Sequence, residues 1–184
     1  MPLPPFLNPA EFSAGTGGKI AADDPRVQPL IDGATAAIRR YCGWHVAPVV
    51  AESVTLDGPG GHLLSFPTLR LESITALSEC GKVADVADLE WSELGNVRKR
   101  RGCWTDRFRG ITATIEHGFE SVPDVAQIVQ QVVANAVSSP LGATSESAGA
   151  LSVSWATTAP GVSGGLSLLA RDFAVLDMYR IRGA

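Results

Sequence analysis

The sequence predicts an α+β fold: a small α-helical bundle with an inserted antiparallel β domain (a small sheet or barrel) and a C-terminal helix. Three observations predict it. Apolar residues recur with a 3.6-residue period from Asp23 to Trp44, with a period of two between about residues 50 and 117, and with a 3.6-residue period again from Pro123. The divisions expected are a flexible N-terminal arm over 1–22, a helical domain over 23–45 and 121–184, and an inserted β domain over 46–120.

Residues 1–22 are Pro-rich and then Gly-rich (PLPPF, AGTGG), a composition that suits a lead-in arm. The clearest helix follows. Val27, Leu30, Ile31, Ala34, Ala37, Ile38 and Tyr41 share one face, while Gln28, Asp32, Thr35 and Arg39 take the opposite one. Asp24 suits a cap, Pro25 the first helical position, Arg39 and Arg40 the negative end of the dipole, and Gly43 a left-handed exit. Gly33 weakens the interior by about 1 kcal/mol relative to Ala, so packing has to hold this helix.

The period then changes. Val54 and Leu56 alternate with polar neighbours, Asp57–Gly61 is a turn cluster, His62–Phe66 reads as a short strand, and Leu69 to Glu72 alternates strictly. Leu89 and Trp91 alternate with Asp88, Glu90 and Ser92, and Gly95-Asn96 suits a tight turn into Val97. Ile111, Ala113 and Ile115 form the last alternating strand. Short strands at this spacing predict a small antiparallel sheet or barrel. From Pro123 a helix carries Val125, Ile128, Val129, Val132, Val133, Ala136 and Val137 on one broad face, and Pro140 stops it. So many β-branched residues need a packing partner, and the first helix is the candidate. Leu151 to Trp155 is strand-like, and Gly165 to Ile181 reads as a helix with two apolar stripes. Leu166, Leu169, Phe173 and Leu176 form one; Leu168, Val175 and Tyr179 form the other. Two stripes predict two partners: the chain's own core and another subunit.

At 184 residues the chain makes one sizeable domain or two small ones. Its 45% hydrophobic and 18% charged content describes a globular protein. A net charge of −4 gives no global attraction to nucleic acid or an anionic membrane. Three widely spaced cysteines, Cys42, Cys80 and Cys103, fit reduced thiols better than a disulfide framework. The opening MPLPPFLNPAEF reads as no signal peptide, and no apolar run approaches the roughly 20 residues of a membrane span.

Motifs for chemistry fail on inspection. Gly161-Val-Ser-Gly-Gly165 matches the nucleophile elbow G-x-S-x-G, but no apolar strand precedes it and the last histidine, His117, comes before it. Ser13 to Ile20 lacks the first glycine and the final hydroxyl of a phosphate loop. His45, His62 and His117 are not spaced as metal ligands with one another or with the cysteines. The acidic residues Asp85, Asp88, Glu90 and Glu93 lack a calcium-loop turn and read as a solvated face. No catalytic residue, metal site or cofactor is expected. Arg98, Lys99, Arg100, Arg101, Arg107 and Arg109 gather six of fifteen basic residues, interleaved with Trp104 and Phe108. The run fits a patch for phosphates or an acidic protein surface, or else a charged edge strand that blocks aggregation.

Taken in order, several segments resemble the head-to-tail connector (adaptor, or head-completion) proteins of tailed bacteriophages. They are Asp24-Pro-Arg-Val27, opening a helix that ends Ile38-Arg-Arg-Tyr-Cys-Gly-Trp44; Leu56-Asp-Gly-Pro-Gly-Gly61 followed by Leu63-Leu64; Phe66-Pro-Thr-Leu69; and Trp104 leading to Phe108-Arg-Gly110. Ile115-Glu-His-Gly-Phe119, Val122-Pro-Asp124, and Glu146 to Trp155 with the final helix complete the set, from about residue 23 to the C-terminus. The long β insertion departs from the smaller, mostly helical members.

The resemblance implies a virion structural protein, assembled in the host cytoplasm, whose copies form a homo-oligomeric ring beneath the portal protein. That ring would extend the DNA channel and meet the next ring, of stopper or tail-terminator type, without sequence-specific DNA contact and without a membrane. It implies a portal-docking set of Leu168, Asp172, Val175, Tyr179, Arg180 and Arg182. It also implies a subunit or partner patch of Gln28, Asp32 and Arg39 together with the basic run Arg98, Lys99, Arg100, Arg101, Arg107 and Arg109. The alternative is a β-rich binding module for a polymer or protein ligand using Trp91 and Trp104.

Overall fold

A computed structural model describes residues 3–138, 145–148, 151–154 and 168–181. It is α+β, and the chain divides into two compact units. The first draws on the ranges Met1–Cys42 and Val122–Met178, the second on Gly43–Ser121 and Tyr179–Ala184.

The first unit is helical. Where the sequence reading places a flexible arm, the structure has a helix, α1 (Pro9–Gly15), whose Phe12 is 0% exposed. Its start is a reciprocal cap. Asn8 Oδ1 accepts from the Glu11 amide and Glu11 Oε2 accepts from the Asn8 amide, both at 2.9 Å, with Pro9 at the first helical position. Helix α2 (Val27–Cys42) begins two residues later than expected. Asp24 instead closes its own turn, accepting from the Arg26 amide at 3.0 Å and pairing with its guanidinium at 2.7 Å. The hydrogen bond from the Arg26 side chain holds the Asp24 carboxyl down at about 2. Pro29 falls in the first helical turn, where a missing N–H costs nothing.

The buried face of α2 is rotated from the expected one: Thr35 and Cys42 are buried, whereas Ala37 is exposed. The N-terminal segment is the reason. The Phe6 amide donates to Thr35 Oγ1 at 3.4 Å, Arg39 Nη2 donates to the Pro4 carbonyl at 2.7 Å, and the Arg39 guanidinium lies 4.9 Å from the Phe6 ring centre. Helix α3 (Pro123–Ser138) packs on α2 and buries all seven residues of its expected face.

Helix α4 (Ala170–Leu176) is far shorter than the expected Gly165–Ile181. Asp172 sets its start by accepting from the Leu169 amide at 2.8 Å. It packs on α2 and α3, with the Phe173 ring 5.0 Å from that of Tyr41 and Leu176 fully buried.

The second unit holds two antiparallel sheets around one core. The first has the order β1 (Val50–Leu56), β7 (Ile111–His117), β3 (Leu71–Glu79), β4 (Lys82–Val83). The second has the order β2 (Leu63–Ser65), β6 (Asn96–Lys99), β5 (Leu89–Trp91). Among the described residues the sheets do not close into a barrel. Strand β7 alternates strictly, with Ile111, Ala113, Ile115 and His117 inward. Strand β3 is interrupted by register shifts between Leu71 and Ser73 and between Ile74 and Ala76, so its core residues Leu71, Ile74 and Leu77 fall three apart. Val54, Leu64, Phe66, Leu89, Val97 and Trp104 complete the core from both sheets. A separate hairpin pairs β8 (Ser145–Ala148) with β9 (Leu151–Ser154). Among the described residues no helix is long and apolar enough to cross a membrane.

Candidate interaction surfaces

The terminal segment does not carry a second stripe on one long helix, because Leu168 and Tyr179 lie outside α4. Leu168 lines a hollow of about 230 Å³ with Ala34, Ala37, Val132 and Phe173. Asp172 is buried in the first turn of α4, with Arg171 Nε 3.6 Å away, and Val175 is half-buried. Tyr179 accepts the Trp44 indole N–H on its carbonyl at 2.7 Å, and its ring meets Phe119 edge-on at 5.4 Å. Met178 and Arg180 are exposed, and Arg182 lies outside the described residues. The G-x-S-x-G match at Gly161–Gly165 lies outside them as well.

On α2, Gln28 and Asp32 form an exposed i, i+4 pair at 2.9 Å. Arg39 is half-buried beneath the N-terminal segment it holds, so it does not join them on an open surface.

Of the basic run, Arg98 and Lys99 lie on β6, the central strand of its sheet, which removes the edge-strand reading for them, while Arg100, Arg101, Arg107 and Arg109 lie outside the strands. Arg98 pairs with Glu90 at 2.6 Å, and Arg100 lies 3.8 Å from the same carboxylate. Lys99 serves the fold: its ammonium meets Glu79 Oε2 at 2.5 Å, donates to the Cys103 carbonyl at 2.9 Å and sits 4.5 Å from the centre of the Trp104 ring. Trp104 is 2% exposed, so it offers no ring to a ligand; Trp91 is partly exposed. Asp85, Asp88, Lys99, Arg100 and Arg101 line a groove of about 530 Å³ whose walls carry both signs of charge.

Glu79 also accepts from the Thr105 amide at 2.6 Å. Burial raises its pKa, but the hydrogen bonds from Lys99 and Thr105 and the Lys99 charge outweigh that and leave it below the ordinary 4.5. A depressed folded pKa contributes stability above the unfolded value that is lost as pH falls through the folded one. Glu79→Gln is therefore expected to cost about 1–2 kcal/mol at pH 7, a charge-assisted pair discounted for partial exposure. The gap from wild type should begin to shrink as pH falls below 4.5. Urea denaturation of both proteins across that range checks it, and a gap independent of pH would assign the loss to packing.

The Asp57–Gly61 cluster holds a loop that presents Phe108. Gly58 N donates to the Arg107 carbonyl at 2.8 Å, Gly60 N to the Thr105 carbonyl at 2.9 Å, and Arg109 N to Asp57 Oδ1 at 2.6 Å. A Cβ on Gly58 would lie 2.1 Å from the Thr105 carbonyl oxygen, so only glycine fits. On this fastened loop Phe108 is 87% exposed between Arg107 and Arg109. The backbone hydrogen bonds fix the position of this exposed side chain, which makes it a candidate contact.

One grouping was hidden in the sequence. His45, Glu52 and His117 come together at the end of β1 and β7, with one donor atom from each within 4.8 Å of the others. His45 and His117, whose sequence spacing does not suit metal ligands, have ring centres 4.5 Å apart. Sequence spacing could not show it, because pairing of β1 with β7 places Val50 opposite His117. His62 stands apart from them, beside Cys103 at 3.8 Å.

No protein-family model matches the chain, and no curated protein matches it. Solved structures do. A chain from the neck of an empty gene transfer agent (GTA) particle, computed with C6 symmetry, superposes with a TM-score of 0.58 at 15% identity, covering 97% of this chain and 92% of that one. One from the neck of the native particle, computed with C12 symmetry, gives 0.54 at 14% identity, covering 100% and 98%. A chain from the virion of the native particle gives 0.58 at 16%, covering 97% and 92%. At these identities the likeness is one of fold: the chain shares its architecture with GTA neck chains over nearly its whole length.

Proposed function

We propose that this chain is a structural, non-enzymatic protein of a virion neck: a head-to-tail adaptor whose copies form a ring under the portal and connect the capsid to the tail. The observation that carries this reading is the end-to-end fold likeness to GTA neck chains, 97–100% of this chain against 92–98% of those. The C6 and C12 symmetry of two of those necks supports a ring. The net charge of −4 supports a channel wall along which DNA slides without sticking. In this reading the terminal segment around Val175, Met178 and Arg180 meets the portal, and the Phe108 loop meets a neighbouring subunit or the next ring.

Electron microscopy of the purified protein with and without its portal tests the reading. Rings that form on the portal are expected, and a chain that never associates with portal or tail would overturn it. Removing the terminal segment is a poor probe of docking, because Leu176 is buried in the helical unit and the Tyr179 carbonyl holds Trp44. The better variant is Met178→Asp, at an exposed position. It should lower portal affinity at least about tenfold, the scale of one interface anchor, while leaving thermal stability within about 0.5 kcal/mol. Unchanged affinity would remove the terminal segment from the contact.

A further inference from the structure

We propose that His45, Glu52 and His117 bind one divalent transition-metal ion of the zinc class. The donors already converge, each within 4.8 Å of the others, and this is the one such group among the described residues. His117 is 2% exposed and its Nδ1 has no hydrogen-bond partner, while its Nε2 lies 3.1 Å from Glu52 Oε2. A buried ring nitrogen without a partner is uncommon in a native fold and marks a place where something else completes the bonding.

The fold is shaped to bring these rings together. Gly118 follows His117 with φ +117°, and a Cβ there would stand 2.6 Å from His45 Nε2, so only glycine lets His45 close over the strand end. Trp44 stacks on His117 at 6.2 Å and meets His45 edge-on at 5.4 Å, which walls one side with apolar surface and strengthens any charge interaction inside.

Two imidazoles and one carboxylate form a donor set of zinc-type sites, whereas calcium and magnesium prefer oxygen alone. Through His117 Nε2, Glu52 would bind beside it: their 3.1 Å separation is near the edge of about 3.4 Å of a tetrahedron with bonds of about 2.05 Å. Through Nδ1, the Nε2–H would stay on Glu52, which would then orient the ring. Both routes make Glu52 a determinant of affinity. Glu52 is the exposed member of the three and has room to close the remaining distance, while His45 Nε2, 2.9 Å from the Pro48 carbonyl, keeps its ring in place.

Full-length protein treated with a chelator is titrated with Co²⁺, read by the visible bands of a four-coordinate ion, and then with Zn²⁺. The titration is run in a Cys103→Ser background, because the exposed His62–Cys103 pair is a rival soft site. One equivalent is expected to bind. Glu52→Gln should weaken it at least about tenfold and His117→Gln should abolish it, and Zn²⁺ should raise the melting temperature of the parent but not of Glu52→Gln. Glu52 is exposed, so its variant tests the site even where His117→Gln does not fold. Absence of four-coordinate bands, their loss on Cys103→Ser alone, or Glu52→Gln affinity within about threefold of the parent would each overturn the proposal.

Discussion

Replacing Gly118 with alanine is expected to destabilise the β unit by about 4 kcal/mol, combining about 1–3 kcal/mol of backbone strain with a comparable overpacking cost. Its φ of +117° is one that a residue with a Cβ rarely adopts. An added Cβ would also lie 2.4 Å from the Pro48 carbonyl oxygen and 2.6 Å from His45 Nε2. Neither neighbour is a loose side-chain tip. Phe119 N bonds to the Val46 carbonyl and Gly118 N to the Arg70 carbonyl, both at 2.8 Å, so the chain is pinned on each side of the glycine. Chemical denaturation of the variant is the measurement. A loss under about 1 kcal/mol would show that the His45–Pro48 turn gives way, and that the histidine grouping does not depend on a bare strand end.

That glycine belongs to Ile115-Glu-His-Gly-Phe119, a stretch visible in the sequence as a strand followed by a turn. What surrounds it was less visible, for physical reasons. Helix α3 could be read residue by residue because its apolar face is continuous and nothing polar is buried in it. The period of helix α2 locates the helix but sets its buried face a fraction of a turn off. Thr35 looks polar until Phe6 N is found on its hydroxyl, a contact 29 residues away. Strand β3 is mostly illegible in the sequence: its two register shifts place Leu71, Ile74 and Leu77 three apart, which breaks the period of two on which recognition of a strand depends. Leu168 and Tyr179 fit the period of the terminal helix and so make it look longer than it is, although neither lies within it.

The candidate surfaces divide along the same line. The density of the basic run was plain, but its chemistry depends on Glu79 and Glu90, which reach it through strand pairing and tertiary contact rather than sequence proximity. In the sequence Phe108 is only an aromatic among arginines. Its exposure follows from the Asp57–Gly61 cradle, about fifty positions earlier, and the signal available was the glycine density of that turn. Histidine spacing carried no information at all, because two strand ends and a helix exit bring His45, Glu52 and His117 together only in the folded unit.

The N-terminal segment gives the second large effect. Phe12→Ala is expected to cost about 3–5 kcal/mol, the range for truncating a fully buried phenylalanine. The prolines and glycines of the first twenty-two residues conceal a short helix with all the parts of a reciprocal cap, Asn8, Pro9 and Glu11, yet seven residues are too few to be stable alone. Docking must therefore hold it. Phe12 is 0% exposed, the Phe6 ring lies under the Arg39 guanidinium, and a Cβ on Gly15 would reach within 2.5 Å of the Gln130 amide, so α1 sits close against both α2 and α3. Losing Phe12 should release the segment and uncover Thr35, which is buried beneath it. The expected result is a lower global unfolding midpoint together with faster amide exchange in residues 3–16 and in the Thr35 turn of α2. Faster exchange in residues 3–16 with an unchanged midpoint would mean that the segment opens as an independent unit, and that α2 and α3 hold the helical unit without it.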